Sequence, residues 1–170
     1  MPNFYMLNIV DSTNAHALLL AKANASVGTL VISRQQTMGR GQHGHVWSSP
    51  IGGVYMSITF TKASLCLPIE NLTLKTGEIV RDFLSDFAGD KFDIKLPNDI
   101  LYNGKKICGI LVETVSRGED IRGCIGIGIN VNNFYDDGVS LKQICDDKLE
   151  LVPEDIAISL WGKIIKGTMM

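Results

Sequence analysis

Charge of one sign is scarce in this chain. Sixteen Lys and Arg stand against eighteen Asp and Glu, a formal net charge of -2 over 170 residues. That balance supplies no basic surplus to neutralise a phosphate backbone, so no DNA or bulk nucleic-acid partner is expected. Long apolar runs are also missing, and no charged segment followed by an apolar one opens the chain, so neither membrane nor export is expected and the cytoplasm is. Cysteine is sparse: Cys66, Cys108, Cys124 and Cys145 form no C-x-x-C pair and have no histidine beside them. A zinc site is therefore not expected, and Cys108 and Cys124, set in apolar strand patterns, read as small buried hydrophobes. His43 and His45 are two apart with no third ligand, so no protein metal site is expected. With no linker, repeat or low-complexity stretch, residues 1–170 read as a single domain.

Glycine, by contrast, is concentrated. Gly39-Arg40-Gly41-Gln42-His43-Gly44-His45-Val46-Trp47 holds three glycines in its first six positions. Glycine sacrifices backbone entropy and buries no side chain, so such a cluster points to positive φ or to close approach of the backbone to a ligand. Arg40 adds a planar cation suited to phosphate or carboxylate. The spacing also fits G-x-G-x-x-G, but that fingerprint needs its last glycine to open a helix. Here Ser48, Ser49, Pro50, Gly52 and Gly53 follow, which break one. The stretch reads as a ligand-covering loop between two strands.

Phe4 to Val10 reads as a strand, and Asp11-Ser12-Thr13-Asn14 can cap the helix expected over Ala15–Ala23 or bond a ligand. Strands are expected at Thr29–Ile32 and Val54–Phe60. After Pro68, Leu72, Ile79, Val80, Phe83, Leu84 and Phe87 recur at helical spacing. Phe92, Ile94 and Leu96 alternate with Lys91, Asp93 and Lys95, a strand that Pro97 ends. Asn103-Gly104 is a hairpin turn, and Ile107 to Val112 is apolar on both faces and so central. From Ile121 to Asn132, Ile121, Ile125, Ile127, Ile129 and Val131 take one face. Arg122, Cys124, Gly126, Gly128, Asn130 and Asn132 take the other. Glycines weaken a strand unless something must come close, so Gly126, Gly128 and Asn130 read as a ligand floor. A last helix runs from Pro153 to Lys166. The pattern is α+β: a mixed, mostly antiparallel central sheet with helices packed on one face.

In order and spacing, these motifs resemble those of the biotin protein ligases: Ser12-Thr13-Asn14, Gln36-Thr37, Gly39-Arg40-Gly41 with Trp47-Ser48-Ser49-Pro50, Lys95-Leu96-Pro97-Asn98-Asp99, Lys106 to Glu113, and Gly126 to Asn132. Together they span roughly residues 4–135. The resemblance implies the biotin–lipoate ligase catalytic fold, like that of class II aminoacyl-tRNA synthetases. It implies an ATP-dependent activation of biotin to biotinyl-5′-AMP, then transfer to a lysine of a biotin carboxyl carrier protein, a subunit of acetyl-CoA carboxylase. Lys95 and Arg40 are the catalytic cations it suggests. The biotin set it suggests is Ser12, Thr13, Asn14, Gln36, Arg40, Gly41, Gln42, Lys95 and Gly109. The adenylate set is Gly39, Arg40, Gly41, Trp47, Lys95 and Asn130, with the loop's amides covering the anion. Mg²⁺ would accompany ATP, held mainly by phosphates. Homodimerisation through a sheet edge is plausible by the same likeness. A lipoate or octanoate ligase or transferase, or a non-catalytic biotin or adenylate binder, remain the competing readings.

Departures from the pattern are also informative. Leu96 stands where tryptophan is commoner. The N-terminal DNA-binding domain and the C-terminal small β-barrel of some family members are not expected within these residues. Gln42 stands where many members carry a second arginine. If that missing charge loosens the grip on the adenylate, Gln42→Arg should slow adenylate release about tenfold, the worth of one charge-assisted hydrogen bond. Equal release rates, followed by filter retention of labelled adenylate, would remove Gln42 from the account.

Overall fold

Alternation of side chains decides which way each strand residue faces, and seven strands of the described residues form the sheet. The structure, a computed structural model, describes residues 2–89, 91–133, 137–145 and 150–170. Residues 134 and 135, the end of the span carrying the motifs, lie outside the described ones. In chain order the elements are β1 (Phe4–Val10), α1 (Thr13–Lys22), β2 (Leu30–Gln36), β3 (Val54–Thr61), α2 (Leu72–Ala88), β4 (Phe92–Lys95), β5 (Asp99–Tyr102), β6 (Lys105–Arg117), β7 (Asp120–Ile129), α3 (Leu141–Ile144) and α4 (Pro153–Thr168). They form one sheet in the order β1-β2-β3-β7-β6-β5-β4. Only β1 and β2 run parallel; the other neighbours are antiparallel.

Turn chemistry fixes the hairpins. Asn103 and Gly104 both take positive φ, 49° and 79°, as a two-residue turn between twisted strands requires. α2 runs as its apolar spacing predicts, with Leu72, Val80, Phe83 and Leu84 buried and Ile79 and Phe87 partly so. Pro153 opens α4, and Glu154 and Asp155 in its first turn complement the positive helix end. α1 begins at Thr13, two residues before its expected start, because Ser12 caps it by accepting from the Ala15 amide.

The two faces of the sheet are used differently. Leu30, Ile32, Met56, Ile58, Ile125, Ile127 and Ile129 face one core, shared with Leu72, Val80 and Leu84 of α2 and Ile156, Leu160 and Ile164 of α4. This is the helix-covered face that the isoleucine row of β7 anticipates. Val31 and Cys124 point the other way, onto Ala17 of α1. So α1 lies alone on the second face, and that face carries the site. Among the described residues no helix is long and apolar enough to cross a membrane.

Cys108 and Cys124 are fully buried, Cys145 is half-buried and Cys66 is exposed; all four are free thiols. Burial pushes the Cys108 and Cys124 thiols far up, with Glu113 adding to the effect at Cys124, so neither forms thiolate near neutral pH. In the native protein at neutral pH, iodoacetamide should therefore modify Cys66 first. Cys108 and Cys124 should react only after denaturation. Peptide mass spectrometry reads this directly, and early labelling of Cys124 would contradict the packing of α1.

Candidate functional site

The site is built on a glycine and the asparagine that leans on it. In the ladders around β7, Gly126 is paired with Ser57 of β3 on one side and Leu111 of β6 on the other. Asn14 of α1 sits on that row. A Cβ at Gly126 would collide with the Asn14 amide. That amide is 5% exposed as a residue and fully engaged. Nδ2 donates to Leu111 O at 3.2 Å and to Glu113 Oε2 at 2.8 Å, and Oδ1 accepts from Ser57 Oγ at 2.6 Å. Thr13 Oγ1 lies 2.9 Å from the same Ser57 hydroxyl, close enough to share its hydrogen. Thr13 in turn donates its N–H and hydroxyl to Gln36 Oε1, at 2.7 and 3.1 Å. Gln36 Nε2 reaches Ser49 Oγ at 2.8 Å, and Ser49 bonds Trp47 O at 3.0 Å. One connected polar network thus ties α1, the floor and the end of the glycine loop.

The loop is a small hairpin of its own. Trp47 N–H donates to Gly39 O, Gly41 N–H to His45 O, and His45 N–H to Gln42 O, while Arg40 and Val46 form an isolated bridge. At Gly39 a side chain would strike Trp47 O, and His43 takes a left-handed φ of 54°. The glycines therefore serve the turn. The Gly41 amide, expected to cover an anion, is spent inside the loop. Charge at the site comes from side chains instead.

A cavity of about 220 Å³ opens between loop and floor, lined by Ser12, Thr13, Asn14, Gln36, Arg40, Gly41, Gln42, Trp47, Asn98, Asp99, Lys106 and Gly109 among others, with Met56, Ile110, Leu111 and Ile127 apolar. A second, of about 440 Å³, lies beside it and is lined by Val46, Trp47, Ser48, Lys106, Asn130, Asp137 and Gly138. Val46, Trp47 and Lys106 line both. The Trp47 indole rests on Gly109 and Gly128, where a Cβ would lie 2.8 and 2.5 Å from its ring. The Lys106 ammonium sits 5.1 Å from the ring centroid, a cation–π contact, and 2.8 Å from Asp99 Oδ1. Trp47 Nε1 is buried without a partner among the described residues. Such a donor is costly unless a ligand atom meets it.

Most expected residues gather here: Ser12, Thr13, Asn14, Gln36, Arg40, Gly41, Gln42, Trp47 and Gly109 line the first cavity, Asn130 the second, and Gly39 the outer side of the loop. Several are not free to serve a ligand as expected. Asn14 has its amide committed to the protein, and Asn130 Nδ2 is bonded to Val139 O at 3.2 Å. Ser12, 2% exposed, keeps a hydroxyl hydrogen without a partner among the described residues. The floor also differs in kind: Gly126 makes room for Asn14, and Gly109 and Gly128 for Trp47.

Lys95 stands at the edge of this arrangement, on the same face of the sheet as Asp99 with which it pairs. The row Asp99–Gly109–Gly128 crosses β5, β6 and β7, and Lys95 pairs with Asp99 from outside it, on the outermost strand β4. Its side chain is exposed and does not line either cavity. The motif's contribution is Asp99, with Asn98, whose backbone O and side-chain Nδ2 pair with Ile110. The cation lining both cavities is Lys106, which sequence reasoning passed over, and Arg40 joins it at the first. The signal was present: Lys106 directly precedes a run apolar on both faces, a place where a lysine has a reason to be.

A family model described as the Biotin/lipoate A/B protein ligase family matches residues 6–130. The bifunctional ligase/repressor BirA of Bacillus subtilis is 40% identical over 153 residues, which cover 84% of this chain and 47% of that protein. The biotin–[acetyl-CoA-carboxylase] ligase of Paracoccus denitrificans is 35% identical over 136 residues, 78% of this chain and 56% of its own length. The chain thus spans about half the length of the curated relatives it matches. Among solved structures, the biotin protein ligase of Aquifex aeolicus in complex with biotin and ATP superposes with a TM-score of 0.82 at 29% identity, covering 98% of this chain and 70% of that one.

The two glycine contacts give unequal expectations. Gly126→Ala meets a buried, fully bonded amide and should cost about 1–3 kcal/mol, as overpacking does. Gly128→Ala meets an indole carried on a loop that can give way, and should cost less than about 1 kcal/mol, near the range of small surface changes. Urea denaturation of both variants compares them, and equal losses would mean the loop is as fixed as the floor.

Proposed function

The chain belongs to the biotin/lipoate A/B protein ligase family, and from that premise we propose that it is the catalytic domain of a biotin protein ligase. In the first step a carboxylate oxygen of biotin attacks the α-phosphorus of ATP. The bond to the bridging oxygen breaks, and pyrophosphate leaves with its electron pair. In the second, a lysine amine of a biotin carboxyl carrier protein attacks the biotinyl carbonyl, and AMP leaves as the amide forms. The observation that carries this reading is that Lys106 lines both cavities. A single ammonium can then meet the carboxylate of an acid in one and the α-phosphate of a nucleotide in the other.

Each residue's part follows from its surroundings. Two anions must approach, and charge builds on the transferring phosphoryl, so a cation already in place lowers the barrier without reorganising. Asp99 and the Trp47 ring hold Lys106 at that point. Arg40, at the rim of the first cavity, adds a second positive group. Leu111 and the Trp47 ring suit the apolar body of biotin, and the Ser12 hydroxyl suits a carbonyl of its ureido ring. Trp47 offers the second cavity a face for stacking adenine. The loop over the first cavity excludes water from a hydrolysable mixed anhydride. Mg²⁺ would neutralise phosphate charge when bound with ATP. Asp99 is the one carboxylate lining the first cavity and is paired with Lys106, a donor set that fits a metal held by phosphates and not by a protein cage.

Exchange of labelled pyrophosphate into ATP tests the first step alone. The exchange should require biotin and not occur with lipoate or octanoate. Lys106→Ala should lower it about a hundredfold or more, the loss typical of one preorganised charge-stabilising group. Lys95→Ala, on the same face one strand further out, tests the lysine that the family resemblance names: a comparable loss would give both lysines a part in the step, and unchanged exchange would leave Lys106 alone. Exchange supported by lipoate or octanoate would move the chain to the other branch of the family. Tight biotin binding by calorimetry without exchange would leave a binder.

A further inference from the structure

Glu113 closes the Lys106–Glu113 motif, and nothing in the reaction above uses it. Its two oxygens make unlike contacts. Oε2 accepts from Asn14 Nδ2 at 2.8 Å, and Oε1 accepts from Arg40 Nη1 at 3.2 Å. Asn14 is the least movable polar group of the floor, held by Ser57 and Leu111 against Gly126. Arg40 belongs to the glycine loop. Glu113 is therefore a strut with one end in the sheet and the other on the loop's cation.

An ion pair between side chains 47% and 26% exposed would by itself hold an arginine weakly, because water screens it and both partners must be ordered. Here the ordering of the carboxylate is already done by Asn14, so Arg40 docks on a fixed acceptor. A guanidinium carries five donors in one rigid plane. With Nη1 taken by Glu113, the plane is set and the other donors remain for the cavity that Arg40 lines.

We infer that Glu113 is a positioning residue: it ties the glycine loop to the floor through Arg40 and aims the free edge of the guanidinium at the ligand's anion. The aiming rests on the reaction proposed above; the tie does not.

Hydrogen–deuterium exchange of residues 39–47 in the full chain, without added ligand, tests the tie. Glu113→Gln keeps an oxygen for Asn14 and loses the charge that Arg40 needs. It should speed exchange in the loop severalfold while leaving β6 and β7 protected. Arg40→Gln should do the same, and the double variant no more than either single one. Glu113→Asp keeps the charge on a side chain one methylene too short for both partners, and should behave like the glutamine variant. Unchanged loop exchange in Glu113→Gln, or effects that multiply in the double variant, would overturn the tie. With biotin and ATP present, Glu113→Gln should release adenylate faster only where Arg40 is retained; equal acceleration without Arg40 would overturn the aiming. A parent chain with no biotin-dependent pyrophosphate exchange would count against the reaction, and the loop measurement would still judge the tie.

Discussion

The placement of the Asn14 amide governs the rest of the site. An amide buried in an apolar sheet must satisfy its hydrogen bonds or cost the fold dearly, and here it does so beside a glycine. At Gly126 the missing side chain lets the amide come down to the level of the strands, with Ser57, Leu111 and Glu113 arranged around it. Once Asn14 is seated there, the first turn of α1 is set. Ser12 and Thr13 then face the cavity, and Gln36 and Ser49 follow through shared hydrogen bonds. A helix of ten residues with modest apolar contacts is thus fixed by polar geometry more than by burial.

Division of labour between the faces of the sheet follows. The isoleucines of β7, with α2 and α4, form the larger core. On the reverse of the same strands sit glycines, Asn14 and the loop. Adjacent residues of one strand therefore answer to different demands: Ile127 to packing density, Gly126 and Gly128 to the close approach of polar and aromatic groups.

Much of this was legible in the chain. Period-two alternation marked the strands and their faces, Asn103-Gly104 marked the hairpin, and the isoleucine row marked the side that α2 and α4 cover. The glycines of β7 were rightly read as places of close approach. What approaches them was not legible, because a missing side chain records that space is needed and not for whom; Asn14 and Trp47 lie over a hundred and about eighty positions away in sequence. Lys106 went unread for the same reason. A motif names neighbours in sequence, whereas the register across β4, β5 and β6 sets Asp99 opposite Gly109, with Lys95 on the same face one strand further out. Likewise α1 could be read as a helix, but its side of the sheet follows from Asn14's long-range bonds.

The glycine loop makes its turns with its own hydrogen bonds, Trp47 to Gly39 and Gly41 to His45. Immobilising a backbone residue costs about 1–2 kcal/mol in conformational entropy. A cover that had to fold around its guest would subtract that loss, residue by residue, from the affinity. Each turn that the loop closes with bonds of its own is one less for a guest to order, and that share of the loss falls on folding and not on binding.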